Sequence, residues 1–181
     1  MPSLKKVVHL NIEIKAKCTD KALIRTVLHQ HKANFKGLDH QVDTYFNCTE
    51  GRLKLREGNI ENSLIHYNRP NTKSPKASVV SLYHPNPNST LKGVLINALG
   101  IKTIIDKKRE IYFIDNVKFH IDEVKGLGSF VEIEAIDYEG NIGEKKLHEQ
   151  CNYYMQALKI KSNDLIHVSY SDLLPSYTKL N

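Results

Sequence analysis

Acids and bases recur at alternate positions in several stretches of this chain, a spacing from which metal and phosphate chemistry could be built. In NIEIKAK, Glu13 and Lys15 fall on one side with Asn11 and Lys17, while Ile12, Ile14 and Ala16 fall on the other. GRLKLRE sets Arg52, Lys54 and Arg56 opposite Leu53 and Leu55. NVKFHIDEV sets Lys118, His120 and Asp122 opposite Val117, Phe119 and Ile121. FVEIEAI sets Glu132 and Glu134 opposite Val131, Ile133 and Ala135. Such alternation marks a β-strand with one apolar face, and the polar face of a lone strand ordinarily meets water. The assortment of signs argues for a further use. If these faces lined a barrel interior, the acids could gather a hard divalent cation, which takes oxygen ligands. The bases could hold phosphate oxygens, Arg bidentately and Lys as a point charge. Periodicity alone is the same for an open sheet and a closed barrel.

The elements that would position these residues are mostly strands. DTYF, LIHYNR and TIIDKKREIYFI read as strands too, and the Gly-containing KGLGS joins two of the polar-faced strands as a hairpin. Short connections between successive strands argue for antiparallel pairing. Three helices interrupt. One follows CTD, with Leu23, Ile24, Val27, Leu28 and His31 at helical spacing and Thr19 or Asp20 as N-cap. A second carries Leu91, Val94, Leu95, Ala98 and Leu99 and stops at Gly100. The third, from about Glu144 to Leu158, carries Leu147, Cys151, Tyr154 and Leu158. Each apolar stripe reads as core packing. Residues 69–90, rich in Pro, Asn and Ser, read as a long loop around a short apolar piece.

A chain of 181 residues fits one domain, residues 1–181, with a sizeable core. Its 26 Lys and Arg against 20 Asp and Glu leave a net charge of +6, which suits a polyanionic partner. No stretch approaches the ~20 apolar residues of a membrane span. The N-terminal MPSLKKVVHLNIEIK lacks the apolar region of a secretory signal. Cys18, Cys48 and Cys151 are isolated and make no disulfide framework. The expectation is a cytoplasmic protein in a reducing compartment, with no membrane partner. A nucleic-acid partner is disfavoured, because the charges interleave in sign and no RNP-type aromatic signature occurs. His148 and Cys151 lack the second ligand pair that zinc would need. Gly126 and Gly128 are turn glycines, not part of a dinucleotide-binding loop.

NIEIKAK resembles the E-x-E-x-K signature of the CYTH family, the triphosphate tunnel metalloenzymes. DTYF, GRLKLRE, LIHYNRP, DKKREIYF and FHIDEVKGLGSFVEIE follow in the family's order, and HVSYSDLL is similar to the tail of its class IV adenylate cyclase branch. The resemblance covers almost the whole chain. It implies an α+β fold: a closed antiparallel barrel of about eight strands, a tunnel, with flanking helices. It implies Glu13, Asp122, Glu132 and Glu134 as ligands for Mg²⁺ or Mn²⁺. Lys15, Lys54, Arg56, Arg69, Lys107 and Arg109 would hold the triphosphate, Lys15 and Arg109 acting in catalysis as well. The implied substrate is a nucleotide or polyphosphate, and the implied activity is an adenylate cyclase or a triphosphatase on an inorganic or organic triphosphate. A non-catalytic binding module is the remaining reading. His120, which shares parity with Asp122, is a candidate for proton transfer. The cyclase branch also implies a homodimer. One position departs from the signature. Its first Glu is Asn11 here, which keeps an oxygen donor but removes a negative charge.

Overall fold

The computed structural model describes residues 8–68 and 76–174. In chain order these form β1 (Val8–Lys17), α1 (Lys21–Gln30), β2 (Asn34–Phe46), β3 (Arg52–Gly58), β4 (Ser63–Asn68) and β5 (Lys76–Tyr83). Then come α2 (Leu91–Leu99), β6 (Ile101–Ile114), β7 (Val117–Val124), β8 (Gly128–Asp137) and α3 (Glu144–Ala157). A 3-10 turn at Ser162–Asp164 and a short helix, α4 (Tyr170–Leu173), follow. The eight strands close into one barrel in the order β1-β5-β4-β3-β2-β6-β7-β8, every pair antiparallel. Closure leaves no sheet edge unpaired. The fold is therefore the α+β tunnel that the resemblance implied.

The parity of the strands decides which residues face inward. Ile12, Ile14 and Ala16 of β1, Phe119 and Ile121 of β7, and Ile133 and Ala135 of β8 turn outward. They pack beneath Leu28 of α1 and Leu147 and Cys151 of α3, and Ile12, Phe119, Ile133 and Leu147 are completely buried. The main hydrophobic core thus lies between barrel and helices, which frees the opposite parity for polar residues. α1 begins at Asp20, whose Oδ1 accepts a hydrogen bond from the Leu23 amide at 2.9 Å, satisfying one of the free amides of the first turn. Gly126, with φ +79°, allows the tight reversal between β7 and β8.

Two expectations need correction. The segment read as a loop over residues 69–90 contains β5, which pairs with both β1 and β4. β5 escapes period-two reading because both faces are largely apolar: Ser78, Val80 and Leu82 line the interior while Val79 lies 55 % exposed on the outside. The apolar stripe of α2, read as core packing, holds no buried residue. Val94 is 58 % exposed, and among the described residues no helix lies over α2 as α1 and α3 lie over β1, β7 and β8.

Candidate functional site

The barrel encloses a cavity of about 450 Å³. Its lining residues at the start of β1 and the end of β8 include Ile60, Asn62, His84 and Tyr138, all exposed. At the opposite end the lining is Tyr45, Tyr67, Ser169 and Tyr170, all buried. There α4 crosses the barrel, and the Ser169 hydroxyl lies 3.4 Å from both the Tyr45 and Tyr67 hydroxyls. Arg52 of β3 fastens α4 by an ion pair with Asp172 at 2.8 Å. Among the described residues the cavity is open at the first end and stoppered at the second.

Near the stoppered end, three bases converge on one acid. Asp43 of β2 accepts from Arg56 at 2.9 and 3.0 Å, from Lys54 at 3.0 Å and from Lys107 at 2.6 Å. The cross-strand pairing of Asp43 with Arg56 creates this contact. Burial pushes the Asp43 carboxyl up, but Arg56, Lys107 and Lys54 outweigh it and hold it well below the usual carboxylate range. Burial drives Lys107 the other way, to about 7, with Arg56, Arg109 and Lys54 adding to the fall and Asp43 opposing it. Three bases share one carboxylate here, so N–H groups of Arg56 and the two lysines are left over for phosphate oxygens. That is the environment a terminal phosphate requires.

A second acid reaches the bases from the β3–β4 turn. Asp39, fully buried, accepts from the amides of Ile60 at 2.9 Å and Glu61 at 3.0 Å. The turn so fixed carries the Glu61 carboxylate onto Arg56 at 2.9 Å and onto Lys118. A side chain at Gly58 would place its Cβ within 2.8 Å of the Asp39 carboxylate, so glycine is required there.

The remaining acids stand on β7, β8 and β1. Glu132 meets Lys15 at 3.0 Å, Arg109 at 2.7 Å and His120 Nδ1 at 3.0 Å. Glu134 lies 4.0 Å from His120 Nδ1 and is the cross-strand partner of Glu13. Arg109 donates twice to Asp122, at 2.6 and 2.5 Å, and Tyr170 donates to Asp122 from its hydroxyl at 2.8 Å. The Lys15 ammonium sits 3.9 Å from the centre of the Tyr170 ring. Burial raises the Glu132 carboxyl, yet Lys15, Arg109 and His120 prevail and keep it well below its ordinary value.

Donor atoms of His120, Glu132 and Glu134 lie within 4.8 Å of one another. With the Glu13 carboxylate lining the same cavity, this mostly oxygen donor set fits a hard divalent cation, which needs only one or two carboxylates when substrate phosphate and water complete its shell. The residues present therefore fit the Mg²⁺ or Mn²⁺ that the resemblance implies.

The structure brings Glu13, Lys15, Lys54, Arg56, Lys107, Arg109, Glu132 and Glu134 to one cavity. Asp122 shares the inward parity of β7 but is not among the lining residues; it is fully buried beside the cavity, where Arg109 and Tyr170 donate to it. Arg69 lies outside the described residues. Sequence reasoning missed Asp43, Glu61 and Tyr170. The first sits in DTYF, where one acid among aromatics gives no charge pattern. Glu61 belongs to a turn, and Tyr170 comes from the end of the chain, so neither shows in strand alternation.

The CYTH domain pattern matches residues 9–170. A candidate adenylate cyclase of Methanocaldococcus jannaschii is 29 % identical over 178 residues, covering 91 % of this chain and 98 % of that protein. A Pyrococcus horikoshii structure superposes with a TM-score of 0.74 at 20 % identity, covering 91 % of this chain and 99 % of its own. A candidate adenylate cyclase of Vibrio parahaemolyticus gives a TM-score of 0.74 at 15 % identity, covering 91 % and 97 %. A Hippeastrum candidate adenylyl cyclase, for which a dominant triphosphatase activity is reported, gives 0.57 at 12 % identity, covering 89 % and 91 %. The barrel, its charged cavity and a pattern match across most of the sequence agree: this chain belongs to the CYTH family.

Proposed function

We propose that this protein is a divalent-metal-dependent enzyme acting on a triphosphate, of the class IV adenylate cyclase type, converting ATP to cyclic AMP and pyrophosphate. The observation that carries this reading is the charge balance of the cavity. Six bases (Lys15, Lys54, Arg56, Lys107, Arg109 and Lys118) line or back it against six acids (Glu13, Asp43, Glu61, Asp122, Glu132 and Glu134). A bare polyanion would bury uncompensated charge there. A triphosphate arriving with divalent cations adds little net charge, its phosphates meeting the bases and its cations meeting the acids.

In this reading the ribose 3′-hydroxyl attacks the α-phosphorus and pyrophosphate leaves. A bound Mg²⁺ or Mn²⁺, held by Glu13, Glu132 and Glu134, would supply Lewis acidity and clamp phosphate oxygens. Lys54, Arg56 and Lys107 hold the terminal phosphates and stabilise the charge that gathers on the departing pyrophosphate. Arg109 is fixed by its two-point contact with Asp122, and Lys15 by Glu132 and the Tyr170 ring, so neither must be reorganised as the reaction proceeds. The similarity to the M. jannaschii protein supports the cyclase choice.

The test is a product assay with Mg²⁺ and with Mn²⁺ on ATP, tripolyphosphate and thiamine triphosphate. Cyclic AMP with pyrophosphate is the expected result. Phosphate release without cyclic AMP would replace the cyclase reading with a triphosphatase, the activity reported for the Hippeastrum relative. Binding without turnover under both metals would make the protein a binding module.

A further inference from the structure

Three buried polar atoms on one wall of the cavity have no hydrogen-bond partner among the described residues: His9 Nδ1, Asn11 Oδ1 and Ser78 Oγ. All three side chains line the cavity, and they are 8, 6 and 1 % exposed. The β1–β5 pairing brings them together, Asn11 standing opposite Ser78 and His9 opposite Val80. Buried polar atoms are nearly always partnered, because leaving one unpaired is costly. Three on one wall, each on a side chain that lines the same cavity, point to a ligand that supplies the missing partners as it seats against that wall.

The chemistry of that ligand follows from the wall's charge and place. Asn and Ser are neutral, and burial pushes the His9 imidazole down from its ordinary value, so it stays neutral as well. A phosphate would call for bases. The wall's acceptors and its hydroxyl match groups that both donate and accept, as sugar hydroxyls do. Inward residues of β1 succeed one another about every 6.6 Å along the strand, so the order from open to stoppered end is His9, Asn11, Glu13, Lys15. The neutral wall therefore precedes the acids, and the bases around Asp43 lie beyond them. At the open rim the Tyr138 ring stands 5.6 Å from the His9 ring, an aromatic face beside the same wall.

Resting on the triphosphate reading above, we propose that His9, Asn11 and Ser78 form a subsite for sugar hydroxyls. A nucleoside triphosphate then lies with its nucleoside toward the open end and its terminal phosphate toward Lys54, Arg56 and Lys107. Asn11 acquires a purpose in this arrangement. It exchanges the charge of the signature Glu for a neutral acceptor aimed at the sugar.

The experiment compares equilibrium binding, by calorimetry with Mg²⁺, of the non-cyclisable α,β-methylene analogue of ATP, its 2′-deoxy and 3′-deoxy forms, and tripolyphosphate. Asn11→Ala and Ser78→Ala should each weaken the nucleotide about tenfold, the loss of one buried hydrogen bond, while tripolyphosphate changes less than about twofold. The deoxy form lacking the hydroxyl that pairs with the altered residue should be insensitive to that substitution. Equal losses for nucleotide and tripolyphosphate would overturn the subsite in favour of a phosphate or metal role. No loss for either would overturn it as well, leaving the three atoms to water. Wild-type protein that binds tripolyphosphate but not the nucleotide defeats the subsite alone; folded protein that binds neither defeats the triphosphate reading with it. Ser78→Ala removes a single oxygen, and thermal unfolding of both variants checks that the barrel is intact.

Discussion

Replacing Asp43 with Asn removes one negative charge and almost no volume from the point where three buried bases meet. Asp43 is 1 % exposed and receives four hydrogen bonds from Lys54, Arg56 and Lys107. Asn keeps one acceptor and turns an NH₂ toward cations. Removing one partner of a buried ion pair costs about 3–5 kcal/mol. Two features keep the variant near the lower figure: the Lys54 side chain is partly exposed, and Arg56 retains Glu61 at 2.9 Å. Lys107 has no such relief except by losing its proton. Its folded value of about 7 lies below the ordinary lysine value, so folding already releases a proton. Losing Asp43 lowers that value further, at about 1.4 kcal/mol per pH unit. Below pH 7 the wild type holds a proton that the variant cannot hold favourably. Above pH 7 Lys107 is mostly neutral in both, and its share of the penalty vanishes. The expected loss of unfolding free energy is about 3 kcal/mol at pH 6, or roughly 6–12 °C in Tm for a chain of this size, and distinctly less at pH 8. The chain has no Trp, so urea unfolding should be followed by far-ultraviolet circular dichroism. Adding Lys107→Met to the variant should recover the pH-dependent part. A loss below about 1 kcal/mol at pH 6, or one equal at pH 6 and pH 8, would refute the reasoning.

Glu13→Ala and Glu134→Ala should each abolish metal-dependent turnover while shifting Tm by less than about 3 °C; activity retained in both would defeat the assignment of acids to the metal. Tyr170→Phe keeps the ring beside Lys15 but loses the hydrogen bond to Asp122, whereas Tyr170→Leu loses both. KM for the triphosphate should therefore rise severalfold in the first and about tenfold or more in the second, and equal effects would remove any role for the ring. Leu147→Ala empties a fully buried position in the outer core and should cost about 2–5 kcal/mol of stability. Because that core lies outside the barrel, metal dependence measured well below Tm should be unchanged, and a lost metal requirement would contradict the separation of core from site.

Period-two alternation was enough to place β1, β3, β7 and β8 and to say which residues share a face, because each of those strands sets charge against hydrocarbon. It could not say whether the charged face looked into a tunnel or into water; closure needs β5, the strand whose two apolar faces carry no alternation. The helices divide in the same way. Gly100 marks the end of α2 by local chemistry and can be read directly, while the start of α1, open between Thr19 and Asp20 in the sequence, falls at Asp20. Whether a stripe is covered depends on distant elements, and α2 shows that an apolar stripe need not be. Within the site, residues carried on alternating strands were legible, whereas Asp43, Glu61 and Tyr170 were not. Each of these three acts by bracing a base that the sequence did reveal, a pairing fixed by barrel register, turn geometry or the crossing of α4.

The placement of the core explains why such a site can exist in a small domain. An ordinary barrel of eight strands fills its interior with apolar side chains, and twelve ionisable groups there would carry a prohibitive desolvation cost if left unpaired. Here the outward parity of β1, β7 and β8 supplies the hydrophobic driving force against α1 and α3, so the inward parity need only avoid loss. It does so by pairing: Asp43 with three bases, Asp122 with Arg109, Glu132 with Lys15 and Arg109, and Glu61 with Arg56 and Lys118. Such an interior is held rigid by the contacts that make it tolerable, which is the preorganisation phosphoryl chemistry requires. It also follows that a neutral substitution at the edge of this network costs the fold little. Asn11 stands at that edge, between the acids and the open end, on a strand whose Ile12 and Ile14 already anchor the outer core. A change of charge there should therefore alter what the cavity recognises while leaving the barrel that holds it intact.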